Sequence, residues 1–584
     1  MKRLVLFFFF FVSLDGSSSD DGLLGQEEPA ALAKRIYSHL FIHDPSTASE
    51  LALLAIHDFP TSMEIQRLWI TSLCAKGEEV AALRAWREFS GNFKEEETKH
   101  ALLEELAWGV LRRAENSSQW MIQFYALMGA AFTRDARAIP LLLRGLRDSN
   151  ATVRALAVRL SISMRDALLQ EELLRLLDEE GEWYVRLEVI RAMGELQILS
   201  AREKLKAIAG DGRRTEEEKQ AAITSLVGML DTADEEEIRA LIASPQSGLR
   251  ELACEIISYF ELKEEAGKIL PLLNDPSSSV RIGALNCLGL LRLPGILEKI
   301  ESALNDPASE VAITAAWAAA LLGEEKGLQR LREWLHHAHP AFSRLAAGAV
   351  AALGKRGVPL AFEALDSDES IHDPYLQATL AFGLIGQREH VKVAEERLFS
   401  ILSQESTCLW MWNESLNPLF RFLSPSTLGH TEELANYPSL IDQLIRLELL
   451  SVLHLLHFPQ ALEGMKEFLK HHRCEVVGAA SLLLLEKGDE EALELVTELL
   501  GAVDEKVRLQ AALNLALFGK ESKAIFVLQE MYPRLDRMGK IQVLEALGHL
   551  GDPISIPFFV DKLEEPHQML RVVSASALMQ ALYH

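Results

Sequence analysis

The chain has little of what usually marks a chemical site. Its five cysteines, Cys74, Cys254, Cys287, Cys408 and Cys474, are odd in number and lie far apart, so they imply no disulfide framework and no paired Cys-x-x-Cys site. A Gly-x-Ser-x-Gly elbow, a glycine-rich phosphate loop, a Cys-x-x-Cys-His haem motif and a His-Glu-x-x-His pair are all missing. Cations are outnumbered: 59 Lys and Arg stand against 85 Asp and Glu, a net charge of -26. That balance disfavours a nucleic-acid surface, which needs clustered Lys and Arg to displace counterions from phosphates. Nor does any later stretch supply the roughly 20 uncharged apolar residues that a membrane span takes.

One apolar run is present, at the start. Met1-Lys2-Arg3 is followed by Leu4 to Leu14, interrupted only by Ser13, the layout of a secretory signal peptide and too short to span a bilayer. Ser17-Ser18-Ser19 offers small residues for cleavage, and residues 1–19 are expected to be a signal peptide or N-terminal anchor. The expected location is outside the cytoplasm, in the periplasm, envelope or medium. A polar linker, 20–28, follows, and from there the pattern is helical.

Breaks at His43-Asp44-Pro45, Phe59-Pro60-Thr61 and Gly91-Asn92 divide residues 29–116 into helices. Thr61 and Glu64 have capping-box spacing. Acidic runs at Glu95, Glu216 and Glu235 read as favourable charge at helix N-termini.

Beyond Ser117 the sequence repeats. The frame Asp275-Pro276-x-x-x-Val280-Arg281-x-x-Ala284-x-x-x-Leu288-Gly289 returns at Asp306-Pro307, 31 residues on. Arg154, Arg186, Lys219, Arg250, Arg281, Ala312, Arg344 and Leu376 mark equivalent positions at a period of 31–33, and Arg446, Val477, Arg508, Lys540 and Arg571 resume it. The Asp-Pro turn ends one helix because proline cannot continue it, and Asp or Ser caps the next. Ala, Gly, Leu and Val recur three and four apart in the second helix, which gives it a packing stripe. Gly194, Gly289, Gly354, Gly386, Gly519 and Gly548 stand where left-handed C-caps are expected. One such pair cannot bury both faces, so pairs must stack. The predicted fold is all-α: an α-solenoid of antiparallel helix pairs, with arrays over 117–386 and 442–584 separated by an irregular, aromatic-rich interruption at 387–441.

These units resemble HEAT repeats, in particular the short bacterial variety known as PBS-lyase-type HEAT-like repeats. The N-terminal frame around Ala52, Pro60, Trp69, Gly77 and Trp86 resembles tetratricopeptide helix pairs, which a degenerate HEAT start would equally produce. The HEAT resemblance implies a structural ladder pairing Asp148 with Arg154 and Asp275 with Arg281, kept at Arg186 and Arg508 and broken at Ala312 and Leu376. It also raises two enzyme readings. Bilin-lyase activity is implied by the PBS-lyase label, but no bilin pocket is marked. A deoxyhypusine-hydroxylase-like diiron centre would need His-Glu pairs, and the chain contains none.

Histidines cluster at His336-His337-Ala338-His339, at His454 with His457, and at His471-His472 beside Cys474. The first group occupies a turn position, so solvated turn residues are expected rather than metal ligands. The expected molecule is a scaffold or adaptor without catalysis, cofactor or metal, whose concave face holds another protein. The candidate partner-binding residues are Trp410, Trp412, Phe420 and Phe422 in the interruption. A HEAT-based enzyme or metal or chromophore accessory protein of bilin-lyase type, and a membrane-tethered assembly factor, are the alternatives.

Overall fold

The computed structural model describes residues 28–93, 96–114, 117–230, 232, 234–292, 295–366, 373–402, 437–470, 474–486 and 490–583. They form 31 α-helices and several short 3-10 turns, with no strand among the described residues. None of these helices is long and apolar enough to cross a membrane.

The first four helices, Pro29–Phe41, Pro45–Asp58, Met63–Lys76 and Glu79–Asn92, start and stop at the breaks the sequence marks. Pro29 and Pro45 occupy first-turn positions, where a missing N–H costs nothing. Thr61 and Glu64 do not form a capping box: Ser62 is the cap residue and Glu64 instead takes the fork of Arg67. Thr215 and Glu218 form one, at the head of Glu216–Gly228.

From Glu96–Ala114 onward helices alternate as first and second members of pairs. Second helices pack on second helices in sequence, through Trp120–Phe132, Ala151–Met164, Trp183–Glu195, Glu216–Gly228, Ser247–Tyr259, Ser278–Leu291, Ser309–Leu322, Pro340–Ala352 and Pro374–Ile385. Glycine allows the close approach. A Cβ on Gly194 would lie 3.0 Å from Ser225 Cα, on Gly289 3.3 Å from Ala318 Cα, and on Gly548 2.9 Å from Ala577 Cα. These glycines are packing sites within or at the end of helices, not the left-handed caps the sequence suggests. Of the six, Gly354 has positive φ, and other helix ends are closed by Gly77, Gly323 and Gly551.

First helices are held to one another by longer arms. Lys206 reaches Glu237 at 2.6 Å, Lys204 reaches Asp178 at 2.6 Å, and the Arg332 fork takes Glu363 at 2.6 and 2.8 Å. Small residues between second helices and long cations between first helices make each unit a wedge. Stacked wedges curve, with the second helices on the inner side.

The ladder is real, but its carboxylates lie one repeat further on than expected. Arg281 forks onto Asp306 at 2.8 and 2.8 Å, while its third nitrogen takes the backbone carbonyl of Asp275 at 2.7 Å. Arg250 forks onto Asp275 at 2.6 and 2.8 Å, and Arg154 onto Glu180 at 2.7 and 2.7 Å while holding the Asp148 carbonyl. The reason is reach: an Arg in the first turn of the second helix meets only the main chain of its own turn, and its fork projects to the next. Each turn carboxylate also accepts the backbone N–H two residues on, as Asp275 does from Ser277 and Asp306 from Ala308. Burial raises the carboxyls of Glu180, Asp275 and Asp306, but the Arg fork and these N–H groups outweigh it and hold them below the ordinary range; Glu218 is held down likewise by Arg186 Nε and the Thr215 N–H.

Helices Val391–Ile401 and Tyr437–Leu455 stand as the two members of one pair. Arg446 donates to the carbonyl of Leu402, as Arg281 does to its own turn. Pairing then continues through Cys474–Glu486, Glu505–Asn514 and Arg537–Leu550 to the last helix, Gln568–Tyr583.

The stack does not end there. Gln568–Tyr583 packs against both Glu96–Ala114 and Trp120–Phe132, so the array closes on itself. A Cβ on Gly129 would lie 2.9 Å from Ser576 Cα, the same small-residue approach used inside the array. Arg571 keeps the ladder geometry, with one nitrogen 2.9 Å from the Glu565 carbonyl, and its Nε lies 3.2 Å from Glu79, a carboxylate from the other end of the chain. Arg87 pairs with Glu564 at 2.7 Å, and His100 with the Leu582 carbonyl at 3.2 Å. One hydrophobic core therefore runs from Ile70 to Ala581. A second, small core, Leu32 to Leu68, holds the first three helices together beside the ring.

Candidate interaction surface: the inner wall of the ring

Along these second helices one stripe turns away from the partner helix and is only partly covered by the neighbouring units. On Ser247–Tyr259 it carries Glu251, Glu255 and Tyr259; on Ser278–Leu291, Ile282, Asn286 and Leu290; on Ser309–Leu322, Trp317; on Pro340–Ala352, Leu345. The residues recur four apart, so they share one face of each helix. Neighbouring stripes meet. Ser279 donates to Glu251, Arg159 forks onto Glu188 at 2.8 and 2.7 Å, and the Trp317 ring lies where a Cβ on Gly289 would touch it at 3.0 Å.

Carboxylates on this wall are partly desolvated. Glu255 and Glu545 are exposed, yet desolvation raises both carboxyls. Glu251 is also raised by desolvation, with the Ser279 hydroxyl opposing. Tyr125, hydrogen-bonded to Glu545 across the closure, is pushed upward by burial and by that carboxylate.

Trp410, Trp412, Phe420 and Phe422 lie outside the described residues, as do the leader and His471-His472. His336, His337 and His339 sit in a turn as expected. His339 Nδ1 accepts the Ala341 N–H at the head of Pro340–Ala352, and His337 Nδ1 accepts the His339 N–H at 3.0 Å. Their rings stack with Phe342 and Trp334. Cys254 and Cys287 are buried between second helices, and burial pushes the Cys287 thiol up to about 12. Among the described residues no group of three His, Cys, Asp or Glu is placed to hold a metal ion. A cavity of about 20 Å³ between Leu127, Leu141 and Val153 has room for a single water.

The sequence reading missed the inner stripe, because four-residue spacing marks both faces of a doubly packed helix. Its clue was the polar residues Glu251, Glu255 and Asn286 recurring at fixed offsets from the ladder arginines.

Residues 266–354 match the family model for HEAT repeats. That stretch carries the whole Asp306–Arg281 rung, the carboxylate of the Asp275–Arg250 rung and most of the apolar inner stripe. No curated protein matches the chain. Among solved structures, Kap121p bound to Nup53p is similar at 15% identity over 96% of this chain and 79% of that one, with a TM-score of 0.29. UNC-45 from Drosophila melanogaster is similar at 11% identity over 94% and 87%, with a TM-score of 0.33. Human deoxyhypusine hydroxylase in complex with glycerol is similar at 17% identity over 43% and 96%, with a TM-score of 0.21.

Proposed function

We propose that this chain is a non-catalytic scaffold that holds another protein against the inner wall of a closed HEAT ring, outside the cytoplasm. The observation that carries this reading is the wall itself. It is a surface of successive second helices, on the inner side of the curve, that turns carboxylates and large apolar side chains to open water. Such an extended curved surface suits a protein better than a small molecule. The basic start and apolar run of Met1 to Leu14 support export.

The test is site-specific photocrosslinking in cells. A crosslinking residue at Asn286 or Leu290 on the inner wall is compared with one at Glu171 or Gln329, which are exposed on first helices. A discrete partner captured from the inner positions is expected. Capture from the outer positions alone would overturn the scaffold reading. Mass spectrometry of the chain's N-terminal peptide checks export: a start near Ser17 to Asp20 supports it, and an intact Met1 with cytoplasmic partners overturns it.

A further inference from the structure

The part of the inner wall formed by four consecutive second helices, Ser247–Tyr259, Ser278–Leu291, Ser309–Leu322 and Pro340–Ala352, is unlike the rest in chemistry. At one end Glu251 and Glu255 lie one turn apart on the same helix face. Among the described residues neither carboxylate forms an ion pair, although Lys219 and Arg250 act on Glu251 from further off, whereas Glu188, further round the wall, is met by Arg159 at 2.7 Å and Arg191 at 3.3 Å. Adjoining them are large apolar side chains without a cover: Tyr259 is 64% exposed, Leu290 56% and Leu345 39%, with Trp317 partly buried between the last two. Leu345 stands 28 positions after Trp317, the same offset that brings Ser279 to Glu251 on adjacent helices. The strip is therefore continuous from one helix to the next. The buried Trp317 indole N–H finds no acceptor. In a chain with a net charge of -26, two half-desolvated carboxylates beside an uncovered apolar strip are complementary to one kind of surface, a cationic and amphipathic one.

We infer that this strip docks a cationic amphipathic helix of a partner protein, its basic residues on Glu251 and Glu255 and its apolar face along Tyr259, Leu290, Trp317 and Leu345. The inference rests on the scaffold reading and names the partner's chemistry. Four helices at about 10 Å spacing present roughly 30 Å of wall, the length of a helix of about 20 residues. Lys or Arg placed against the paired carboxylates regains charge–charge energy in a setting of lowered dielectric, and the apolar residues remove Leu290 and Tyr259 from water.

The experiment uses the full chain and three fluorescent 20-residue probes in anisotropy titrations. They are a Leu/Lys amphipathic helix, its Leu/Glu counterpart, and a scrambled Leu/Lys peptide with no apolar face. The expected result is saturable one-to-one binding of the first probe alone, weakened at least tenfold by the double substitution Glu251→Gln with Glu255→Gln and by Leu290→Ser with Leu345→Ser. Glu171→Gln on the outer side leaves it unchanged. Equal binding of the scrambled peptide, or affinity indifferent to Glu251 and Glu255, would show attraction to bulk negative charge and overturn the proposal. Binding of the Leu/Glu helix at the strip would also overturn it. If the Leu290 and Leu345 variant misfolds, a photocrosslinker at Asn286 decides: its adduct must map to the Leu/Lys helix. A native partner crosslinked from the inner wall through an acidic or neutral segment would sink this inference and leave the scaffold reading standing.

Discussion

The interface that closes the ring and an interface inside the array can be set side by side. Ser278–Leu291 meets Ser309–Leu322 through Gly289 against Ala318, and an Arg281 fork locks the next turn. Gln568–Tyr583 meets Trp120–Phe132 through Gly129 against Ser576, and Arg571 again holds its own turn carbonyl. The apolar part of the design is the same, although the partners stand hundreds of residues apart; His100 and the Leu582 carbonyl are 482 positions distant. The polar part differs. Arg281 makes two aligned bonds to Asp306, while Arg571 lies 3.2 Å from Glu79 without hydrogen-bond alignment, and the other closing ion pair, Arg87 with Glu564, is largely exposed. The comparison teaches that shape complementarity closes the ring and that charge pairing is concentrated within the array.

Removing the last helix should break this comparison most severely. Its middle is buried on all sides, from Val572 to Met579, so deleting 568–583 strips cover from Leu111, Ile122 and Ala130 at once. Loss of a soluble monomer, or an opened and expanded particle in small-angle scattering, is the expected outcome. An unchanged radius of gyration in a stable truncated chain would show that the closure carries no load.

Next in size is the ladder. Arg281→Ala leaves Asp306, whose side chain is 10% exposed, without its fork and should cost about 3 kcal/mol, read as a large fall in the denaturation midpoint. Arg571→Ala should cost less, about 1 kcal/mol, because its contact with Glu79 is unaligned and Glu79 keeps Arg113 at 3.7 Å. Equal losses would refute the assignment of charge pairing to the array interior.

Substitutions at glycine give a smaller and sharper test. Gly129→Val and Gly289→Val should each destabilise by about 1–3 kcal/mol through overpacking. Gly348, in a helix interior with nothing within 4 Å of a would-be Cβ, should tolerate alanine and gain about 0.5–1 kcal/mol. Matched losses at Gly129 and Gly289, by thermal melts, would confirm that closure and interior packing are equivalent.

The response to pH separates the ladder from the inner wall. The Arg147 fork and Arg175 hold the Glu172 carboxyl down to about 2, against 4.5 unfolded. Its stabilisation is complete above pH 4.5 and is lost as pH falls toward 2, and Asp275, Asp306, Glu180 and Glu218 act in the same direction. Glu251, Glu255 and Glu545 are raised, so the folded chain takes up protons before the unfolded one does, and stability rises slightly as pH first drops toward 5. Replacing Glu251 and Glu255 with Gln should flatten that small rise and leave the acid limb in place. Denaturant midpoints between pH 7 and 2 check both.

Much of this was legible from residues alone. The turn Asp275-Pro276 and its 31-residue return placed the helix pairs, and the breaks at Pro45 and Pro60 placed the N-terminal helices. Less legible was which Asp meets which Arg. The family resemblance implies the partner six residues away, but a guanidinium in a first turn points its fork along the stack. The closing helix also left a trace that went unread. Between Arg571 and Gln580 the helix carries only small and apolar side chains, more apolar surface than one partner helix and one neighbour would cover.

The sequence by itself determined the all-helical pairs, their period and the arginine positions, because proline geometry, capping and hydrophobic spacing act over a few residues. Only the tertiary structure decided that the array closes, which stripe becomes the inner wall, and that Glu255 stands desolvated while exposed. These follow from small differences in helix spacing summed around many wedges, and no local stretch of residues contains that sum.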